Sequence, residues 1–228
     1  MKDRGCKMVS RRMSLGLLVG GAATMLSGCS FGDRSSYKFR MTVEVKTPQG
    51  LKSGSSVLQV EVWRGIPIGD SSGLNSSVSG EAVAIELKDT LLFVLLQMPN
   101  AGPPLQAVVP HALLGRRSHN PDGVMSDTAV LRSNFDGKMK ADLPRTDWPM
   151  MVRFRNINDP TTVELVDPAA IGVSRVAVET TSDAVTTGIE KKLPWLPKIY
   201  QMDIGPEFRP TGIPVGDFKR LFSTQLDN

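Results

Sequence analysis

Thiols are scarce in this chain, and their positions exclude several chemistries at once. Both cysteines, Cys6 and Cys29, fall within the first 29 of 228 residues. The remaining 199 positions hold no disulfide, no thiolate nucleophile and no cysteine metal site, so stability there rests on packing. Histidine is as rare: His111 and His119 stand eight apart, and no H-E-x-x-H spacing joins them. Aromatic residues make up 6% of the chain and are not interleaved with basic ones, which excludes a stacking platform for nucleic acid. The serine-rich stretch "SSGLNSSVSG" lacks the lysine and the strand-to-helix setting of a phosphate-cradling loop.

Charge of one sign is also missing from the body. The net charge of +4 comes from residues 1–28, where Lys2, Arg4, Lys7, Arg11 and Arg12 face Asp3 alone. Subtraction leaves 22 basic and 22 acidic residues in the rest, so nothing there recruits phosphate by bulk charge. No long hydrophobic run occurs either: "SLGLLVGGAATML" has 13 residues, against about 20 for a membrane-spanning helix.

A basic stretch followed by a short apolar run and small residues is the order of a secretory signal. Leu26, Ser27, Gly28 and Cys29 complete it. These four resemble the lipobox of bacterial lipoprotein precursors. The resemblance covers residues 1–29 only. It implies cleavage between Gly28 and Cys29, a diacylglyceryl group on the Cys29 thiol, and often acylation of the new amino terminus. The expected location is the envelope of a Gram-negative bacterium, on the periplasmic side. Ser30, rather than aspartate, follows the cysteine and points to the outer over the inner membrane. "SRRMSL" is similar to a twin-arginine export signal, with Ser14 where that pattern prefers phenylalanine. Two body segments, "MVRFRNINDPTTVELVDP" and "TTGIEKKLPWLP", are similar to stretches of uncharacterised proteobacterial proteins, a likeness that carries no activity.

Beyond the anchor, residues 29–36 read as a lipidated tether and residues 37–228 as one globular β-rich domain. Tyr37, Phe39, Met41, Val43 and Val45 alternate with Lys38, Arg40, Thr42, Glu44 and Lys46, the period of a strand with one solvated face. "SVLQVEVW" resumes that alternation after a turn, so the two predict an antiparallel hairpin. Residues 64–80 are rich in glycine and serine and predict a long loop. Residues 91–96 are apolar on both faces and predict a strand covered on both sides. "MMVRFR" and "VSRVAVETT" predict further strands. "LQAVVPHALLG" predicts a short helix broken at Pro110, "SHNPDG" and "NFDGK" predict turns, and Phe218, Leu221 and Phe222 predict a terminal helix capped by Asp217. The fold class expected is α+β, mostly antiparallel sheet with one or two short helices; a mainly-β sandwich is the alternative.

The expected role is non-catalytic: a lipid-anchored protein that binds or scaffolds envelope components, with an envelope protein or a glycan as partner, no cofactor, no metal and no nucleic acid. A hydrolase using His111 or His119 with a carboxylate is the rival. A third reading places a glycan or small ligand near Trp148 and Trp195, whose proline-flanked rings either line a groove or plug a core edge.

Overall fold

The alternation at Tyr37 to Lys46 builds the spine of the domain. In the computed structural model, which describes residues 33–67, 69, 72–201, 213 and 218–224, it lies inside β1 (Arg34–Thr47), paired along its length with β2 (Gly50–Arg64). β1 begins at Arg34, three positions before Tyr37, because residues 34–36 pair through backbone with Glu61 to Trp63 and need no apolar side chain to do so. The tether expected to run through residue 36 thus ends in a strand. β3 (Leu74–Ser79) adds to β2 as an edge. This corrects the expected loop over 64–80. Strand propensity reflects side-chain packing on a half-buried surface, and the serines of an edge strand are held instead by their backbone register to Gln59 through Trp63.

β9 (Val173–Thr180) joins the other side of β1, and β6 (Lys140–Asp142) closes the order β3-β2-β1-β9-β6. A second antiparallel sheet follows the order β4 (Val83–Glu86), β5 (Leu91–Val94), β7 (Met151–Phe154), β8 (Val163–Leu165). The expected mostly antiparallel α+β class holds.

The four-stranded sheet is the middle layer, as the two-faced run at 91–96 predicts. Leu92, Val94 and Met151 pack with Phe39, Met41, Val43, Leu58 and Val176 of the larger sheet. Phe93, Leu95, Val152 and Phe154 point the other way, into a core closed by Trp195, Leu196, Phe218 and Phe222. Rings there meet mostly edge to face, Phe93 at 5.8 Å from both Phe154 and Phe222, a geometry the ring quadrupole favours. Backbone bonds fasten the carboxy-terminal segment: Ala82 N–H donates to Phe222 O at 2.8 Å and Leu96 N–H to Leu221 O at 2.9 Å. Gly54 allows the two sheets to close. It lies opposite Val43 on the core side of β2, and a Cβ there would stand 2.6 Å from the Ala84 carbonyl oxygen.

Three helices complete the described part. α1 (Leu105–Leu114) runs through Pro110 without breaking and buries Leu105, Val108, Val109 and Leu113. α2 (Pro121–Ser133) replaces the turn expected at "SHNPDG". Asn120 caps it, accepting the Gly123 N–H at 2.7 Å, and Pro121 occupies the first turn, where its missing N–H costs nothing. α3 (Phe218–Phe222) carries the expected Phe218, Leu221 and Phe222 stripe; its proposed cap Asp217 lies outside the described residues. Among the described residues no helix is long and apolar enough to cross a membrane.

Candidate functional site

α1 ends on Gly115, which takes the left-handed conformation at φ 66° and turns the chain out. The connector then folds back onto α2. Arg116 places Nε at 3.1 Å and a terminal nitrogen at 2.5 Å from Asp127 Oδ1, and Ser118 Oγ donates to Asp127 Oδ2 at 2.5 Å. Asp127 is 4% exposed. A buried carboxylate is costly unless its oxygens are answered, and here both are. The result is a cleft of about 240 Å³ between α1, α2 and the β2–β3 edge. Its walls include Val62, Leu74, Pro110 and Val124, and its polar lining includes His111 and Arg117.

This cleft separates the two predicted histidines. His111 lines the cleft, while His119 is exposed on the connector. Among the described residues neither imidazole meets a carboxylate within hydrogen-bonding distance; Asp127 is taken by Arg116 and Ser118. The geometry holds a connector in place rather than forming a nucleophile–base–acid relay, which would need the imidazole between hydroxyl and carboxylate. No group of three or more metal-ligating side chains occurs among the described residues.

Sequence reasoning passed over one pentad: Gly69, Asp70, Ser71, Ser72 and Gly73 match G-x-S-x-G in letters. A nucleophile elbow needs a strand-to-helix turn. This pentad sits between β2 and β3, two antiparallel neighbours, and Asp70 and Ser71 lie outside the described residues.

The tryptophans are built into the cores. Trp148 is 6% exposed, donates from its indole nitrogen to Leu143 O at 2.9 Å and lies under the Arg145 guanidinium. Trp195, equally buried, donates to Ile157 O at 2.8 Å and stacks on Phe218. Their polar ends are satisfied internally and their faces are occupied by neighbours, so the plugging role describes them better than a groove lining does. Gly28 and Cys29, the expected processing and lipidation positions, lie outside the described residues.

The outer face of the five-stranded sheet carries the other concentration of polar groups. Arg175 bonds Asp142 and Glu44, Lys140 bonds Glu179, and Arg40 bonds Glu179 and Asp183. Hydrogen bonds that Arg175 donates to Asp142 and Glu44 push its pKa further up, and the Lys140 ammonium holds the Glu179 carboxyl below its ordinary range. These charges are spent on one another along the sheet. A shallow cleft of about 400 Å³ beside them, at Thr42, Asp142 and Arg175, therefore presents a balanced polar surface.

Compared with known proteins, the chain matches no family model, no curated protein and no solved structure.

Proposed function

We propose that the chain is a lipid-anchored protein of a bacterial envelope, fixed through Cys29 on the periplasmic side with the outer membrane as its site, whose β-rich domain binds or scaffolds other envelope components without catalysis. One observation carries this reading: Leu26, Ser27, Gly28 and Cys29 follow a basic stretch and a 13-residue apolar run in the order of a lipoprotein precursor. Each buried methylene contributes about 0.8 kcal/mol, so two or three acyl chains on one residue make attachment long-lived. The absence of a basic bias after residue 28 fits a body held by lipid rather than by charge.

The non-catalytic half draws its support from the cleft beside α1 and α2. Its buried acid is saturated by Arg116 and Ser118, and among the described residues its histidine makes no hydrogen bond or ion pair with a carboxylate. The hydrolase alternative has no comparable support. Mass spectrometry of the mature amino terminus decides the anchor: the reading expects Cys29 as the first residue, carrying a thioether-linked diacylglyceryl group. An unmodified Cys29, or a chain retaining residues 1–28 in the soluble fraction, overturns it.

A further inference from the structure

β1 enters the sheet at Arg34, and Asp33 sits beside Arg64: the Arg64 N–H donates to Asp33 O at 2.9 Å and its Nε lies 3.7 Å from the Asp33 carboxylate. Arg64 and Leu74 are the last register pair of β2 and β3. Residues 65–67 and 72–73 therefore leave the sheet at the end where the chain enters it, and Gly65 N–H donates to Gly73 O at 2.7 Å. Here Ile66 is 85% exposed, more than Leu51, Phe135 or Leu165, the other large apolar side chains that stand in solvent among the described residues. A second arginine connection brings the α1–α2 connector to the same end, since Arg64 also pairs with Asp122 in the first turn of α2.

Covalent geometry turns this into an orientation. Four residue steps separate Cys29 from Asp33, and at about 3.3–3.6 Å per step they reach at most about 14 Å. β1 itself has 14 residues, so at about 3.3 Å per residue its far end is up to about 43 Å away. With acyl chains on Cys29, Asp33 can lie no farther than about 14 Å from the lipidated residue, so the end bearing Asp33, Arg64 and Ile66 is the one tethered near the headgroups. The hairpin tip at Leu51 is the part free to stand away.

We infer that Ile66 inserts into the bilayer as a second, non-covalent contact, and that the end of the domain carrying it is the membrane-facing surface. Charge supports the lipid surface as occupant. Arg34, Arg64 and Arg116 are each answered by an acid, Glu61, Asp122 and Asp127, while Arg117 is exposed with no acidic partner among the described residues. The Arg117 guanidinium, on the α1–α2 connector that the Arg64–Asp122 pair ties to this end, suits headgroup phosphate, and the exposed isoleucine suits acyl chain. This inference rests on Cys29 bearing the anchor.

The test uses the missing thiols. Once processed, the mature chain has no free cysteine, so Ile66→Cys and Leu51→Cys each create one labelling site. Each full-length lipidated variant, its fold checked by urea unfolding, is labelled with an environment-sensitive fluorophore. It is then reconstituted into phosphatidylethanolamine–phosphatidylglycerol vesicles with brominated acyl chains. A side chain inserted about 5–10 Å should lose about half its emission or more, while the label at 51 stays as bright as with unbrominated lipid. Acylated, vesicle-bound protein whose label at 66 is no more quenched than that at 51 overturns the inference and leaves the anchor standing. Protein that is not acylated and stays soluble overturns both.

Discussion

Glu81 joins three parts of the fold, and removing its carboxylate tests the packing argument where it is most exposed to failure. The residue is 2% exposed, between β3 and β4. Its two carboxylate oxygens accept the N–H of Gly188 at 3.0 Å and of Ile189 at 2.9 Å, and its own carbonyl accepts from Ser56 Oγ at 2.7 Å. Glu81→Ala strands the buried Ile189 N–H, a loss of about 1–3 kcal/mol; the Gly188 N–H is partly exposed and is taken up by water. At a slope of about 2 kcal/mol per molar urea, a 2 kcal/mol loss moves the unfolding midpoint down by about 1 M. Glu81→Gln keeps one acceptor and removes the charge, which isolates the pH dependence. Burial raises the Glu81 pKa above its ordinary carboxylate value, against the two N–H bonds that lower it, and nearby Glu190 raises it further. A raised acid binds more protons folded than unfolded, so its contribution is fully present below the unfolded pKa and is lost as pH rises through the folded one. The stability of the natural chain minus that of Glu81→Gln should therefore grow as pH falls toward the ordinary carboxylate range. Urea unfolding followed by tryptophan emission at several pH values reads both quantities. An unchanged midpoint for Glu81→Ala, or a difference that shrinks on acidification, refutes the reasoning.

Three further outcomes follow from single positions. Tyr37 is 3% exposed, its hydroxyl has no partner among the described residues, and burial raises its pKa; Tyr37→Phe should leave the urea midpoint unchanged or raise stability by about 1 kcal/mol, and a loss of that size would mean the hydroxyl is bonded. Gly54→Ala places a methyl 2.6 Å from the Ala84 carbonyl oxygen and 2.8 Å from Ile85 Cγ1, so it should destabilise by about 1–3 kcal/mol in thermal unfolding, whereas tolerance would show that the two sheets can part. Replacing His111 and His119 together with alanine should leave the cellular phenotype of the natural chain intact, and a null phenotype with a folded, membrane-bound variant would return the histidines to consideration as functional groups.

How far the fold was legible depended on which faces of an element are buried. β1 and β9 cover one face and leave the other in water, so their sequences alternate, and the alternation named them. The run at 91–96 was legible for the opposite reason: a strand between two cores needs apolar side chains on both sides. α2 was hidden because it buries Asp127, Thr128 and Leu131 rather than an apolar stripe. The N-P-D-G letters that suggest a turn are there an N-cap and a first helical turn. β3 was hidden because backbone register, not side-chain pattern, holds a serine-rich edge. The ion pair between Arg116 and Asp127 spans eleven positions across a helix start that the sequence did not reveal, so no spacing rule could have assembled the cleft.

The same contrast bears on function. A catalytic constellation leaves titratable groups unsatisfied or mismatched so that they can act, and perturbed groups in a cleft are its usual signature. Here the two buried acids among the described residues make hydrogen bonds that hold neighbouring segments in place. Asp127 is saturated by Arg116 and Ser118, and Glu81 caps the turn that leads to Trp195. The sheet-face charges close on each other in chains such as Arg40, Glu179 and Lys140. Groups used in this way stiffen a surface and hold connectors in place. Among the described residues the large apolar side chains left in solvent are Ile66, at the end where the chain enters the domain, and Leu51, Phe135 and Leu165. Ile66, the most exposed of the four, is therefore the side chain on which the proposed second membrane contact rests.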